Sequence, residues 1–140
     1  MKIIEVLDIP IYNTNVLLFI GGNIEDFEFL YENNKTKFTK EKYDCIISDL
    51  QKDGYAGFVS CINDFSYFLC IKENYIKDYS IVIHEIFHLT NHILWDRDVD
   101  IDKKGEVYAY LIGWLSKQYF NIIEDTENKE REEVDNIVNA

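Results

Sequence analysis

The sequence predicts an α+β fold, on three observations. Two β-patterned runs open the chain, a second pair lies between residues 55 and 71, and the longest helically periodic segments come last, at 79–95 and from Glu106 onward. Strands and helices segregated in this way pack as layers around a shared core. A length of 140 residues makes a single domain the expectation, and such a chain buries roughly 68–70% of its unfolded surface. Hydrophobic residues at 47% and aromatics at 15% exclude disorder throughout.

Residues 2–9 read as a strand, and 14–20 as a second, more buried one. Gly21-Gly22 breaks that pattern, and Asn23 can cap the helix on which Ile24, Phe27, Leu30 and Tyr31 recur. Asn33-Asn34-Lys35 is a loop. Thr39 then opens a helix whose inner stripe is Tyr43, Ile46, Ile47 and Leu50. Asp53-Gly54 turns the chain into two β-rich runs, 55–62 and 65–71, joined by a hairpin turn at Asn63-Asp64. Residues 79–95 form a helix capped by Asp78 or Ser80, and a polar, acidic connector at 96–104 leads to a last strong helix, 106–120. The domain therefore spans 1–123, and 124–140 is an acidic tail, either a short helix docking Val134, Ile137 and Val138 or a frayed end. The sheet is expected to be small, twisted and mostly antiparallel, with helices on one face.

Fourteen Lys and Arg against 26 Asp and Glu give a formal charge of −12. A surface that negative repels phosphate, so direct nucleic-acid binding and docking on anionic membranes are not expected. Glu5 and Asp8 interrupt the apolar stretch a signal peptide needs, and the longest run without a polar side chain, 16–22, is far short of a membrane span. Cys45, Cys61 and Cys70 are odd in number and form no Cys-x-x-Cys pair. They read as free thiols in a reducing cytoplasm, the alternative being Cys61 facing Cys70 across the hairpin. A cytoplasmic location in a host cell is the expectation.

Residues 84–88 read His84-Glu85-Ile86-Phe87-His88, the pattern H-E-x-x-H. With three His and thirteen Glu in the chain, chance yields this pattern in roughly one such sequence in 200. Positions i and i+4 share one face of a helix, so both imidazoles can reach one Zn²⁺ at about 2.0–2.1 Å. Glu85, beside the first ligand, can act as general base on a zinc-bound water whose pKa the metal lowers toward ~7. The plain alternative is a pair of boundary histidines. A glutamate between them in an apolar helix, with no partner of its own, argues for the metal site.

Zinc needs a third protein ligand and keeps its fourth position for water. His92 continues the stripe of His84 and His88, yet eight residues at 1.5 Å rise separate it from His84 by about 12 Å, too far for one ion. It reads as a boundary residue. The metzincin extension is excluded by Asn91 and Leu94, and the aspartates of the connector fail the calcium-loop pattern at the bidentate position. Glu106, near the start of the next helix, is the best third ligand, the alternative being a helix-start glutamate favoured by the macrodipole. Tyr110, one turn further, can hydrogen-bond the oxyanion of a tetrahedral intermediate or serve as a core aromatic.

These residues resemble the gluzincin branch of zinc metallopeptidases, H-E-x-x-H followed by a Glu on a second helix. More narrowly, Val82-Ile83-His84-Glu85-Ile86-Phe87-His88 together with Gly105-Glu106-Val107-Tyr108-Ala109-Tyr110-Leu111-Ile112-Gly113-Trp114-Leu115 is similar to small zincin-like proteins of bacteriophages and prophages. The resemblance covers residues 80–115. It implies a zincin fold, with His84, His88 and Glu106 on zinc and Glu85 as base. It also implies an edge strand that holds extended substrate by backbone pairing, and 65–71 would be that strand. Where many gluzincins carry an Asp four residues after the ligand Glu, this chain has Tyr110, so the group orienting a ligand histidine must come from elsewhere, such as a connector aspartate. Only about twenty-five residues follow Leu115, too few for the usual second lobe, which implies a cleft that is open, completed by a protein partner, or no longer catalytic.

The leading functional reading is a zinc-dependent metallopeptidase, phage or prophage encoded, acting on a peptide or protein substrate. One alternative is a non-catalytic zincin-fold binding or virion structural protein. The other is an acidic DNA mimic or inhibitor, which the charge alone motivates.

Overall fold

The computed structural model describes residues 1–34, 37–99 and 105–139. Strands β1 (Ile3–Ile9), β2 (Thr14–Ile20), β3 (Gly57–Asn63) and β4 (Ser66–Ile71) form one sheet in the order β1-β2-β4-β3. β1 pairs antiparallel to β2, with Ile3 opposite Ile20 and Ile9 opposite Thr14. β2 runs parallel to β4, with Asn15 opposite Ser66 and Ile20 opposite Ile71. β3 closes the far side antiparallel to β4. The sheet is therefore mixed, and the α+β class holds.

Helices cover both faces, not the one expected from the order of elements. The two central strands read as continuous apolar runs because both of their faces are buried. Val16, Leu18 and Ile20 of β2 and Tyr67, Leu69 and Ile71 of β4 pack on α3 (Tyr79–Asp96) and α4 (Gly105–Val138). Leu17, Phe19, Phe68 and Cys70 point the other way, onto Phe27 of α1 (Ile24–Asn33) and Ile46 and Leu50 of α2 (Lys40–Gln51). That second layer is largely aromatic, with Phe27 edge-on to Phe19, Phe38 and Phe68 at centroid separations of 6.0, 5.6 and 5.5 Å. Each of these buried Phe, Leu and Ile side chains is worth about 1.5–3 kcal/mol.

Capping is as the sequence announces. Asn23 Oδ1 accepts from Asp26 N at 2.9 Å while Asp26 Oδ2 accepts from Asn23 N at 2.8 Å, a reciprocal capping box at the head of α1. Thr39 caps α2 through Lys42 N at 3.1 Å. Asp78, not Ser80, caps α3: its Oδ1 accepts from Ser80 N and Ile81 N and also from Ser80 Oγ. Gly21 has φ +71°, and a Cβ there would sit 2.2 Å from the Met1 carbonyl oxygen, so only glycine fits.

α3 and α4 lie antiparallel. Tyr108 Oη meets Asn91 Oδ1 near one end (3.3 Å), and near the other Tyr119 Oη donates to the Ile76 carbonyl (2.8 Å) while Lys77 pairs with Glu127 (2.6 Å). The tail departs from expectation: α4 continues unbroken to Val138. Its last buried side chain is Ile123, and residues 128–139 are all exposed. A helix already nucleated by packing propagates cheaply through Glu, Lys and Arg, with no proline to stop it. Val134, Ile137 and Val138 stay in solvent rather than docking.

Across the β3–β4 hairpin Cys61 pairs with Tyr67 and Cys70 with Phe58, so the two cysteines do not face each other. All three thiols are free. Of the connector, Asp96 accepts a 2.5 Å hydrogen bond from Tyr67 Oη, and Arg97 reaches the Tyr12 and Asp64 carbonyls. Residues 100–104 of that connector lie outside the described residues.

Candidate functional site

α3 carries the H-E-x-x-H residues. Val82, Ile86, Leu89 and Ile93 form its buried stripe against the sheet, which turns His84 and His88 outward. The two rings meet at 4.6 Å between centroids and 80° between planes, and their Nε2 atoms are 3.1 Å apart. Two nitrogens at that separation, each at about 2.0–2.1 Å from a shared ion, subtend roughly 95–100°, near the tetrahedral value zinc prefers. Without an ion the same approach is an imidazole–imidazole hydrogen bond. The pair fits half of a zinc ligand set.

Glu85, the next residue round the helix, lies in the angle between α3 and β3 and is only 8% exposed. Gly57 makes the room. A Cβ on Gly57 would stand 3.1 Å from Glu85 Cγ and 2.7 Å from the Cys70 carbonyl oxygen. Burial pushes the Glu85 carboxyl above its ordinary range, with His84 and His88 partly opposing the shift. Its Oε1 lies 4.0 Å from His84 Nε2. A carboxylate with raised basicity, one residue from a metal-competent imidazole, has what proton transfer asks of a general base.

Compared with known proteins, the chain matches no family model, no curated protein and no solved structure.

α4 contributes differently from what its sequence suggests. Leu111, Leu115, Tyr119 and Ile123 form its buried stripe. Nine residues at 100° each set Glu106 on the opposite side of the helix from Leu115, and Glu106 is exposed accordingly. Tyr110 is 77% exposed. Tyr108 is the tyrosine that reaches α3, through Asn91. Among the described residues no three His, Cys, Asp or Glu side chains gather closely enough to hold a metal ion. The structure thus brings His84, Glu85 and His88 together and leaves Glu106 and Tyr110 outside that group.

The edge assignment also changes. β4, taken as the substrate-holding edge at 65–71, is paired on both sides, and the free edge beside α3 is β3. A hairpin's two strands look alike in sequence, and only the parallel pairing of β2 with β4 decides which is inside. Two participants carried no sequence signal: Gly57, a lone glycine in a strand, and Cys61, whose Sγ approaches His92. A partly open pocket of about 210 Å³ bounded by Leu17, Leu30, Phe38 and Ile62 lies on the sheet face away from the histidines. Among the described residues no helix is long and apolar enough to cross a membrane.

Proposed function

We propose that this chain is a zinc-dependent peptidase of the gluzincin kind, phage or prophage encoded as its resemblance suggests. The observation that carries the reading is the 3.1 Å convergence of His84 Nε2 and His88 Nε2 with the buried Glu85 carboxyl alongside. His84 and His88 would hold the ion, and Glu106 is the proposed third ligand. Bound there, zinc would polarise the scissile carbonyl and acidify a water toward a pKa of ~7.

Glu85 takes the proton of the attacking water as its oxygen bonds the carbonyl carbon. It then passes that proton to the departing amide nitrogen as the C–N bond breaks, so one peptide and one water become a carboxylic acid and an amine. Burial in the α3–β3 packing pushes the Glu85 carboxyl above its ordinary range, the direction that favours its taking a proton. The free edge of β3 carries no charged side chain between Gly57 and Ile62, so nothing there obstructs backbone pairing with an extended substrate.

The test is cleavage of a mixed peptide library by zinc-loaded protein, read by mass spectrometry, beside Glu85→Gln. Cleavage by the wild type, reduced about 10²–10⁴-fold in the variant, is the expected result. Intact peptides with fully zinc-loaded wild type would favour the second reading, a non-catalytic zincin-fold binding or virion protein. The solvent-side positions of Glu106 and Tyr110 favour that reading.

A further inference from the structure

The sheet face that carries α1 and α2 changes character along its length. Phe19 and Phe68 lie under the two helices. Toward the starts of β2 and β4 the same face turns polar, with Asn15 directly opposite Ser66. The pairing of β3 skips a residue there, since Cys61 meets Tyr67 and Asn63 meets Ser66. Ile62 is the extra residue of that bulge and packs with the α1–α2 cluster. The pocket of about 210 Å³ lies at this end, with Leu17 and Ile62 on the sheet side and Leu30 and Phe38 on the helix side.

Its polar lining is unpaired. The side chains of Asn15, Ser66 and Lys37 border the pocket and have no hydrogen-bond or ion-pair partner among the described residues. Asn15 and Ser66 are half-buried. A polar group drawn out of water without a partner costs free energy, which a ligand accepting its hydrogen bond offsets. The charge is also set apart from the rest of the molecule. The chain carries 26 Asp and Glu against 14 Lys and Arg, yet among the described residues no acid lines this pocket and Lys37 does. An apolar body with a few polar groups at its border is how small-molecule sites are built.

We propose that this pocket binds a small organic carboxylate of about ten non-hydrogen atoms, a site independent of His84, Glu85 and His88. Size sets the body: about 150 Å³ lined by Leu, Ile and Phe holds a benzene ring, so 210 Å³ admits a ring or branched chain with a short arm. Leu17, Leu30, Phe38 and Ile62 take the apolar part. Lys37 Nζ pairs with the carboxylate, and the Asn15 amide and Ser66 hydroxyl supply neutral donors.

The experiment is an NMR titration of the full chain with phenylacetate, with its neutral analogue phenylacetamide and with the cation phenethylamine. Phenylacetate should saturate with a dissociation constant on the order of 1 mM, shifting the amides of Asn15, Leu17, Ile62 and Ser66. Phenylacetamide should bind about 5–10-fold more weakly, between the worth of an exposed ion pair and that of a hydrogen bond to a buried charge. Lys37→Met should weaken phenylacetate by the same factor and leave phenylacetamide unchanged. Val6→Trp, at an exposed strand position bordering the pocket, should abolish binding of both with the melting temperature kept. The His84→Ala/His88→Ala variant should bind as the wild type does. Phenethylamine binding as tightly as phenylacetate overturns the proposal. So does phenylacetate affinity unmoved by Lys37→Met or lost in the double histidine variant, and so does the absence of shifts at ~20 mM, well above the expected constant.

Discussion

The two helices that carry the candidate site differ in how they arrive at it. α3 brings His84 and His88 within 3.1 Å of each other through local geometry alone, because residues four apart share a face of any α-helix. α4 has to bring Glu106 from eighteen residues further on, and there the requirement is tertiary. What decides is which side of α4 is buried. Leu111 and Leu115 claim the inward stripe, and the same 3.6-residue period that makes them core leaves Glu106 opposite them. A pair on one helix is robust to packing; a ligand set shared between helices depends on rotation as well as proximity.

The comparison breaks most visibly on zinc content. Replacing His84 or His88 by Ala should take the chain from near one zinc to near none by elemental mass spectrometry. Glu106→Ala should weaken binding by at least ~10-fold, no less than the loss of an outer hydrogen-bond partner at a metal site. Zinc affinity unchanged in Glu106→Ala would mean that the third donor lies elsewhere. Gly57→Ala comes next. Its methyl would meet the Cys70 carbonyl at 2.7 Å and Glu85 Cγ at 3.1 Å, so about 1–3 kcal/mol of stability should be lost in urea denaturation. A neutral substitution would show that β3 can shift away from α3 at no cost.

Smaller effects test the contact between the helices themselves. Tyr108→Phe removes the hydrogen bond to Asn91 and should cost about 1 kcal/mol or less, whereas Tyr110→Phe on the solvent side should change nothing measurable. The smallest concerns the start of α3. The Ser80 hydroxyl, with the Ile81 and Ser80 amides, holds the Asp78 carboxyl below its ordinary range. A folded-state pKa below the unfolded value, ~3.9, means the cap stabilises fully above that value and is lost as pH falls through the folded one. Asp78→Asn keeps the cap without the charge. Its stability should therefore fall less steeply below pH ~4 than that of the wild type, which thermal melts across pH 2–6 would resolve.

The sequence by itself determined what depends on near neighbours. Asn23, Thr39 and Asp78 announce their helices because a cap acts within three residues. The period-two runs announce strands, and His84-Glu85-x-x-His88 announces a facing imidazole pair. Tertiary structure decided the rest. Helices on both faces follow from Leu17, Phe19, Phe68 and Cys70 facing opposite to their neighbours, a fact hidden in runs that are apolar throughout. Which hairpin strand is the edge depends on β2 choosing β4, and α4 extends through 124–138 because its packed first half nucleates the remainder. The meeting of Cys61 with His92, and the failure of Glu106 to meet His88, share one physical reason: side chains far apart in sequence meet only where the packing of whole elements sets their register and rotation.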